Sequence, residues 1–158
     1  MADNAPLTLD LPDEAATCRL GAALAELARP DDLIALWGDL GAGKTTLARA
    51  FIRQWTNDAQ LCVPSPTFTL VQIYDSIRGK VWHVDLYRLK TPDEVFELGW
   101  EEACGQNLVL LEWPQRIETL LPSKRLDLRL SHDQGGRRAV LQGCPDWSPR
   151  LAQAMLGG

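Results

Sequence analysis

The chain lacks the long apolar runs of a helical membrane protein, since none of its hydrophobic stretches approaches the roughly 18–20 residues a spanning helix requires. No membrane partner is therefore expected. It also lacks paired cysteines. Cys18, Cys62, Cys104 and Cys144 lie far apart with no Cys-x-x-Cys spacing. That spacing argues against a disulfide framework or a zinc site, and for reduced thiols in the cytoplasm. Basic charge is in short supply, with 16 Lys and Arg against 21 Asp and Glu and a formal net charge of −5. A protein that grips nucleic acid unaided presents a basic face, because counterion release drives that binding. Contact with RNA is thus expected only through a partner. Repeats and low-complexity segments are absent, and the acidic start Met1–Pro6 has no apolar core that would read as a secretory signal. What is there, 158 residues at 46% hydrophobic and 23% charged, suits one domain, 1–158, with a core of its own.

Periodicity supplies the elements. Leu7–Leu11 reads as a short strand, and Pro12-Asp13 opens a helix with Ala16, Leu20, Ala23, Leu24 and Leu27 at helical spacing. Leu33–Trp37 is a continuous apolar run, the mark of a strand buried on both faces. A glycine-rich loop follows, then a helix from about Lys44 to Trp55. Phe68–Tyr74 alternates like a strand, and Ser76–Gly79 turns it into a second strand, Lys80–Leu86. Thr91-Pro92 reads as a helix cap and first position. Leu108–Leu111 is another buried-strand run ending at Glu112. Leu126–Leu130 and Arg137–Leu141 form a hairpin around Asp133-Gln134-Gly135-Gly136, and Ser148–Leu156 is a terminal helix. The sum is an α/β protein with a mixed parallel and antiparallel sheet flanked by helices.

Chemistry concentrates in Gly38-Asp39-Leu40-Gly41-Ala42-Gly43-Lys44-Thr45, a P-loop set between a buried strand and an amphipathic helix. Its glycines permit torsions and approaches that a Cβ would block, so the amides from Asp39 to Thr46 can converge on phosphate oxygens. Lys44 is placed to reach the β- and γ-phosphates, Thr45 to ligate magnesium, and Thr46 to meet the α-phosphate. The competing reading, a glycine-rich turn that happens to carry Lys-Thr, explains neither the strand before it nor the helix after it. ATP and Mg²⁺ are the expected ligands.

A P-loop needs an acid at the tip of a neighbouring strand to complete the metal site. Glu112, with the cleaner apolar lead, is assigned to the metal beside Thr45. Asp85 is left to hold a metal-bound water or to orient the attacking one. Each has a plainer alternative as a solvated charge at a strand end. Thr67 or Thr69, in the proline-bounded Ser65-Pro66-Thr67-Phe68-Thr69, can report on the γ-phosphate, or the segment is an ordinary loop. His83, between apolar neighbours, reads as a structural histidine before a catalytic base.

Taken in order, these motifs make the chain resemble the TsaE (YjeE) family of P-loop ATPases. The resemblance rests on Leu11-Pro12-Asp13-Glu14, the P-loop, Ser65–Leu70, His83-Val84-Asp85-Leu86-Tyr87-Arg88-Leu89, Glu97-Leu98-Gly99 and Leu111-Glu112-Trp113-Pro114. It implies a P-loop NTPase fold. Thr45 and Glu112 then match magnesium positions, Lys44 a phosphate lysine, Thr67 a switch-like loop, Asp85 an active-site acid and Trp113 a residue beside the nucleotide. It further implies ATP hydrolysis in complex with TsaD–TsaB, in support of threonylcarbamoyl transfer to a tRNA adenosine beside the anticodon. Arg137 or Arg138 can lie near the nucleotide and Arg137 is assigned there, with a solvated turn as the plainer reading of either, and Leu11–Asp13 is assigned to the adenine side. Tyr87-Arg88 is a candidate partner surface.

Two other classes start from the same loop. A small P-loop kinase needs an arginine-bearing lid, and the arginines here are scattered. A GTP-driven switch module carries Asn-Lys-x-Asp, which is missing. Asp133-Gln134-Gly135-Gly136 fits Asp-x-x-Gly but reads better as a turn.

Overall fold

Five consecutive apolar residues, all buried, make β2 (Leu33–Trp37) the centre of the computed structural model, which describes residues 5–157. The reading of Met1–Asn4 lies outside the described residues. β2 sits in a seven-stranded sheet with β1 (Leu7–Leu11), β3 (Val71–Tyr74), β4 (Val81–Asp85), β5 (Leu108–Glu112), β6 (Leu126–Asp133) and β7 (Gly136–Gly143). Their order is β1-β7-β6-β2-β5-β4-β3. β2 runs parallel to β5 and β6, and β4 parallel to β5. The outer pairs β1–β7, β6–β7 and β3–β4 are antiparallel. The mixed sheet read from the sequence is the one found. Its register puts Asp85 beside Glu112 and Leu36 beside Glu112, so the carboxyl ends of β2, β4 and β5 share one edge. In open α/β sheets that edge is where ligands bind.

Side chains alternate between two cores, as the two-residue period of a strand requires. Ile34, Leu36, Leu108 and Leu110 face α1 (Glu14–Leu27) and α2 (Lys44–Thr56). Ala35, Trp37, Val109 and Leu111 face the side that holds α3 (Trp100–Ala103) and the 3₁₀ segments Pro92–Leu98 and Pro114–Leu120. α4 (Ser148–Gly157) lies against α1. Among the described residues no helix is long and apolar enough to cross a membrane.

α1 and α2 approach closely at Gly21, where an added Cβ would come within 2.5 Å of the Leu47 carbonyl oxygen. Gly21→Ala gains up to about 1 kcal/mol in helix propensity but overpacks backbone against backbone at about 1–3 kcal/mol. The second effect wins. Urea unfolding should show a lower midpoint with an unchanged slope, a net loss of about 1–2 kcal/mol. A raised midpoint would mean the helices separate freely.

Three elements differ from the sequence reading. The strand expected over Phe68–Tyr74 begins only at Val71, because residues 66–69 form a turn closed by the Leu70 amide on the Pro66 carbonyl at 2.6 Å. Leu70 itself has φ 69°, which no strand tolerates. The helix after Thr91 is a 3₁₀ segment, with the capping box in place: Glu94 reaches back to the Thr91 amide at 3.2 Å. The β6–β7 hairpin extends three residues past Leu130, to Asp133.

Candidate active site

The P-loop leaves β2 at Gly38 and enters α2 with Gly43 as the helix cap, at φ 105°, a torsion costly for any side chain. α1 is capped by Asp13, whose carboxylate accepts from the Ala16 amide at 2.8 Å. α2 has no side-chain cap, and its first intrahelical bond runs from Leu47 to Gly43. The amides of Lys44, Thr45 and Thr46 therefore precede the helical ladder and point out of its positive end. They open into a cavity of about 420 Å³, within the range of small-molecule sites.

Oxygen donors meet at one end of this cavity. The Thr45 hydroxyl donates to Glu112 at 2.9 Å from Oε1 and 3.2 Å from Oε2. Glu112 is almost wholly buried, and its Oε2 lies 2.6 Å from His83 Nε2. Asp85 stands one strand over. Its Oδ2 accepts from the Thr67 hydroxyl at 3.0 Å and its Oδ1 from the Tyr87 amide at 2.9 Å. Burial pushes the Asp85 carboxyl above its ordinary value, with Glu112 adding to the effect and the two hydrogen bonds opposing it.

Lys44 is also buried. Its ammonium donates to the Gly38 carbonyl and lies 3.4 Å from the centre of the Trp113 ring. Burial pulls its basicity down, against the pull of Glu112, Asp85 and Asp39. Trp113 is held at this angle by φ 61° at the start of a 3₁₀ segment, and packs on Tyr87 with centroids 4.9 Å apart. Arg137, which also lines the cavity, donates to the carbonyls of Gly41 and Gly136, each at 3.0 Å, which ties the P-loop to the β6–β7 turn.

Of the residues singled out from sequence, Leu40, Gly41, Ala42, Gly43, Lys44, Thr45, Thr46, Thr67, Asp85, Glu112, Trp113 and Arg137 line one cavity. Asp39 does not; its carbonyl closes the loop turn by accepting from the Ala42 amide at 3.1 Å. Leu11 and Asp13, assigned to the adenine side, do line it. Sequence reasoning did not place Glu14, Thr17, Gly135 or Gly136 at the cavity, gave Tyr87 to a partner surface, and missed the His83–Glu112 contact. Strand alternation carried a signal for His83, since it shares a face with Asp85 two residues on. Gly135 and Gly136 carried only their place beside Arg137, since the turn lies far from the loop in sequence.

Oxygen ligands suit a hard cation. Among the described residues no three His, Cys, Asp or Glu side chains form a self-sufficient metal cage. Magnesium is the ion that proteins hold with one or two side chains and phosphate oxygens together, so a Thr45–Glu112 pair beside an open helix N-terminus fits it.

The family model for "Threonylcarbamoyl adenosine biosynthesis protein TsaE" matches residues 11–140. A protein of Rickettsia felis is 42% identical over 122 residues, covering 77% of this chain and 71% of the relative. One of Haemophilus influenzae is 32% identical over 157 residues, covering 96% and 92%. Both carry the name tRNA threonylcarbamoyladenosine biosynthesis protein TsaE. The crystal structure of Bacillus subtilis YdiB superposes with a TM-score of 0.76 at 25% identity, over 97% of this chain and 96% of that one. With a family model matching residues 11–140 and a relative that covers 96% of this chain at 32% identity, the chain belongs to the TsaE family.

Proposed function

We propose that this protein is a magnesium-dependent ATP hydrolase of the cytoplasm that acts with the TsaD–TsaB pair in threonylcarbamoyladenosine modification of tRNA. The observation that carries the chemistry is the convergence of Thr45, Glu112 and Lys44 at the uncapped start of α2. The names of its relatives support the pathway.

In this reading the amides of residues 41–46 hold the phosphates and Lys44 moves from Trp113 onto the β- and γ-oxygens. Thr45 and Glu112 hold magnesium, which when bound neutralises charge developing on the transferred phosphoryl group. Asp85 orients a water for in-line attack on the γ-phosphorus, the bond to the β–γ bridging oxygen breaks, and ADP and phosphate leave. Because Thr67 donates to the same carboxylate, the 65–70 segment is tied to the acid that faces the water. Of the described residues lining the cavity only Arg137 is an arginine, and its guanidinium is committed to backbone carbonyls. A kinase would need an arginine clamp there, and a fast hydrolase an arginine finger worth about 10³–10⁵-fold. Slow turnover alone follows. Tyr87, at 38% exposure, lines the cavity, and the exposed Phe68, with Arg88 4.1 Å from its ring centre, follows the cavity-lining Thr67 in the chain; these groups suit a protein partner.

The test is ATP hydrolysis with and without magnesium, for the protein alone and with TsaD–TsaB and tRNA. Weak activity that rises with the partners is expected. Turnover indifferent to them would remove the tRNA role and leave a P-loop hydrolase.

A further inference from the structure

His83 is fully buried on β4, and its ring makes one hydrogen bond, from Nε2 to Glu112 Oε2 at 2.6 Å. Among the described residues the buried Nδ1 has no hydrogen-bond partner. The two facts together favour one tautomer. A proton on Nδ1 would bury an N–H with nothing to accept it and turn the Nε2 lone pair toward a carboxylate oxygen. A proton on Nε2 makes the short contact a donated hydrogen bond and leaves only a bare lone pair at Nδ1, the cheaper of the two to bury.

The contact also settles which way the carboxylate faces. With Oε2 taken by the imidazole, Oε1 is the oxygen nearer the Thr45 hydroxyl, at 2.9 Å. An unrestrained glutamate carboxylate samples several rotamers, and a ligand that must be oriented first binds a cation less tightly. Burying the imidazole in the β4–β5 core gives the carboxylate a rigid support.

Resting on the metal-site reading above, we propose that His83 is a positioning residue: by donating from Nε2 it locks Glu112 so that Glu112 and Thr45 face a divalent cation as a ready-made pair. It touches neither nucleotide nor metal. Its effect belongs to the magnesium-dependent part of nucleotide binding and not to the part the P-loop amides supply.

The experiment uses the full chain and a fluorescent non-hydrolysable ATP analogue, titrated once with magnesium and once with EDTA. The ratio of the two affinities is the metal's share. His83→Gln carries an amide donor near the position of Nε2, and His83→Asn carries one near Nδ1, short of Glu112. His83→Asn should shrink the ratio by about 10-fold, as removal of an outer partner of a metal ligand does, with affinity in EDTA unchanged. His83→Gln should keep most of it. Equal ratios in all three proteins overturn the inference while the metal site stands. Affinity that falls as far in EDTA as in magnesium makes His83 a mere core residue and overturns it too. A wild-type ratio of one removes the metal-site reading, and the inference with it. A second measurement needs no variant to fold. Long-range ¹H–¹⁵N spectra of the wild-type imidazoles, one from buried His83 and one from exposed His132, should show the buried ring protonated at Nε2, and a proton on Nδ1 alone overturns the proposal.

Discussion

Asp32→Ala is expected to destabilise the protein by about 3 kcal/mol, the lower end of the cost of breaking a buried ion pair, because Arg150 keeps Asp146 as a second partner. Asp32 closes the turn between α1 and β2, and Arg150 reaches it from α4 with a two-pronged grip, Nη1 to Oδ2 at 2.6 Å and Nη2 to Oδ1 at 3.2 Å. Both side chains are shielded, at 1% and 9% exposure. The carboxylate also accepts from the Arg29 amide at 2.7 Å, and the guanidinium donates to the Leu27 carbonyl at 3.1 Å while lying 3.7 Å from the Trp147 ring centre. Removing the acid leaves the shielded guanidinium with only the half-exposed Asp146, whose Oδ2 accepts from Nη2 at 3.0 Å, as a charged partner. The neighbouring Asp31–Lys124 pair is a useful contrast, with both groups about half exposed. Asp31→Ala should cost no more than about 1 kcal/mol, as surface pairs do. Unfolding in urea reads both numbers. Replacing the pair together, as Asp32→Asn with Arg150→Met, should recover much of the loss, because the desolvation penalty disappears with the charge. If Asp32→Ala costs no more than Asp31→Ala, α4 is not clamped to the sheet in solution.

That clamp shows where sequence reading stops. Its two members are 118 residues apart, and Arg150 lies beyond the residues matched by the family model. Nothing local marks either one. The opposite holds for β2, the P-loop and α2, where an apolar run, three glycines and helical spacing follow each other without a gap, so local propensity and the final fold agree. The carboxylates were legible for a related reason: a charge that ends a continuous apolar run must sit where a buried strand meets the surface. The turn at residues 66–69 was not. Phe68 and Leu70 alternate with Thr67 and Thr69 as a strand would, but the Thr67–Asp85 and Leu70–Pro66 bonds hold the chain in a turn, with Leu70 at positive φ. A tertiary hydrogen bond overrides the pattern. The His83–Glu112 contact is intermediate, since alternation gives its face but only the β4–β5 register gives its partner.

Lys44→Ala should lower ATP turnover by about 10²–10³-fold, the loss typical of one preorganised donor to a developing negative charge. Burial already disfavours the ammonium, and three carboxylates, Glu112, Asp85 and Asp39, hold it charged against that cost. Its two contacts, the Gly38 carbonyl and the face of Trp113, keep it at the open end of α2 rather than in solvent. A phosphate that displaces Trp113 as its partner exchanges a cation–π contact of about 2 kcal/mol or less for a charge-assisted hydrogen bond that strengthens as the transition state forms. The effect should therefore fall more on kcat than on nucleotide affinity, which the loop amides continue to supply. Lys44→Arg should rescue little, because a planar fork cannot occupy the space a compact ammonium takes between a carbonyl and an indole face. Trp113→Ala separates the two roles. It removes the resting place and a side chain that lines the cavity without removing the donor, so its effect should fall on nucleotide affinity and leave kcat within about 10-fold, far above the Lys44→Ala value. If Lys44→Ala instead raises KM with kcat unchanged, the lysine binds substrate and transition state equally, and the rate must come from the Thr45–Glu112 end of the cavity.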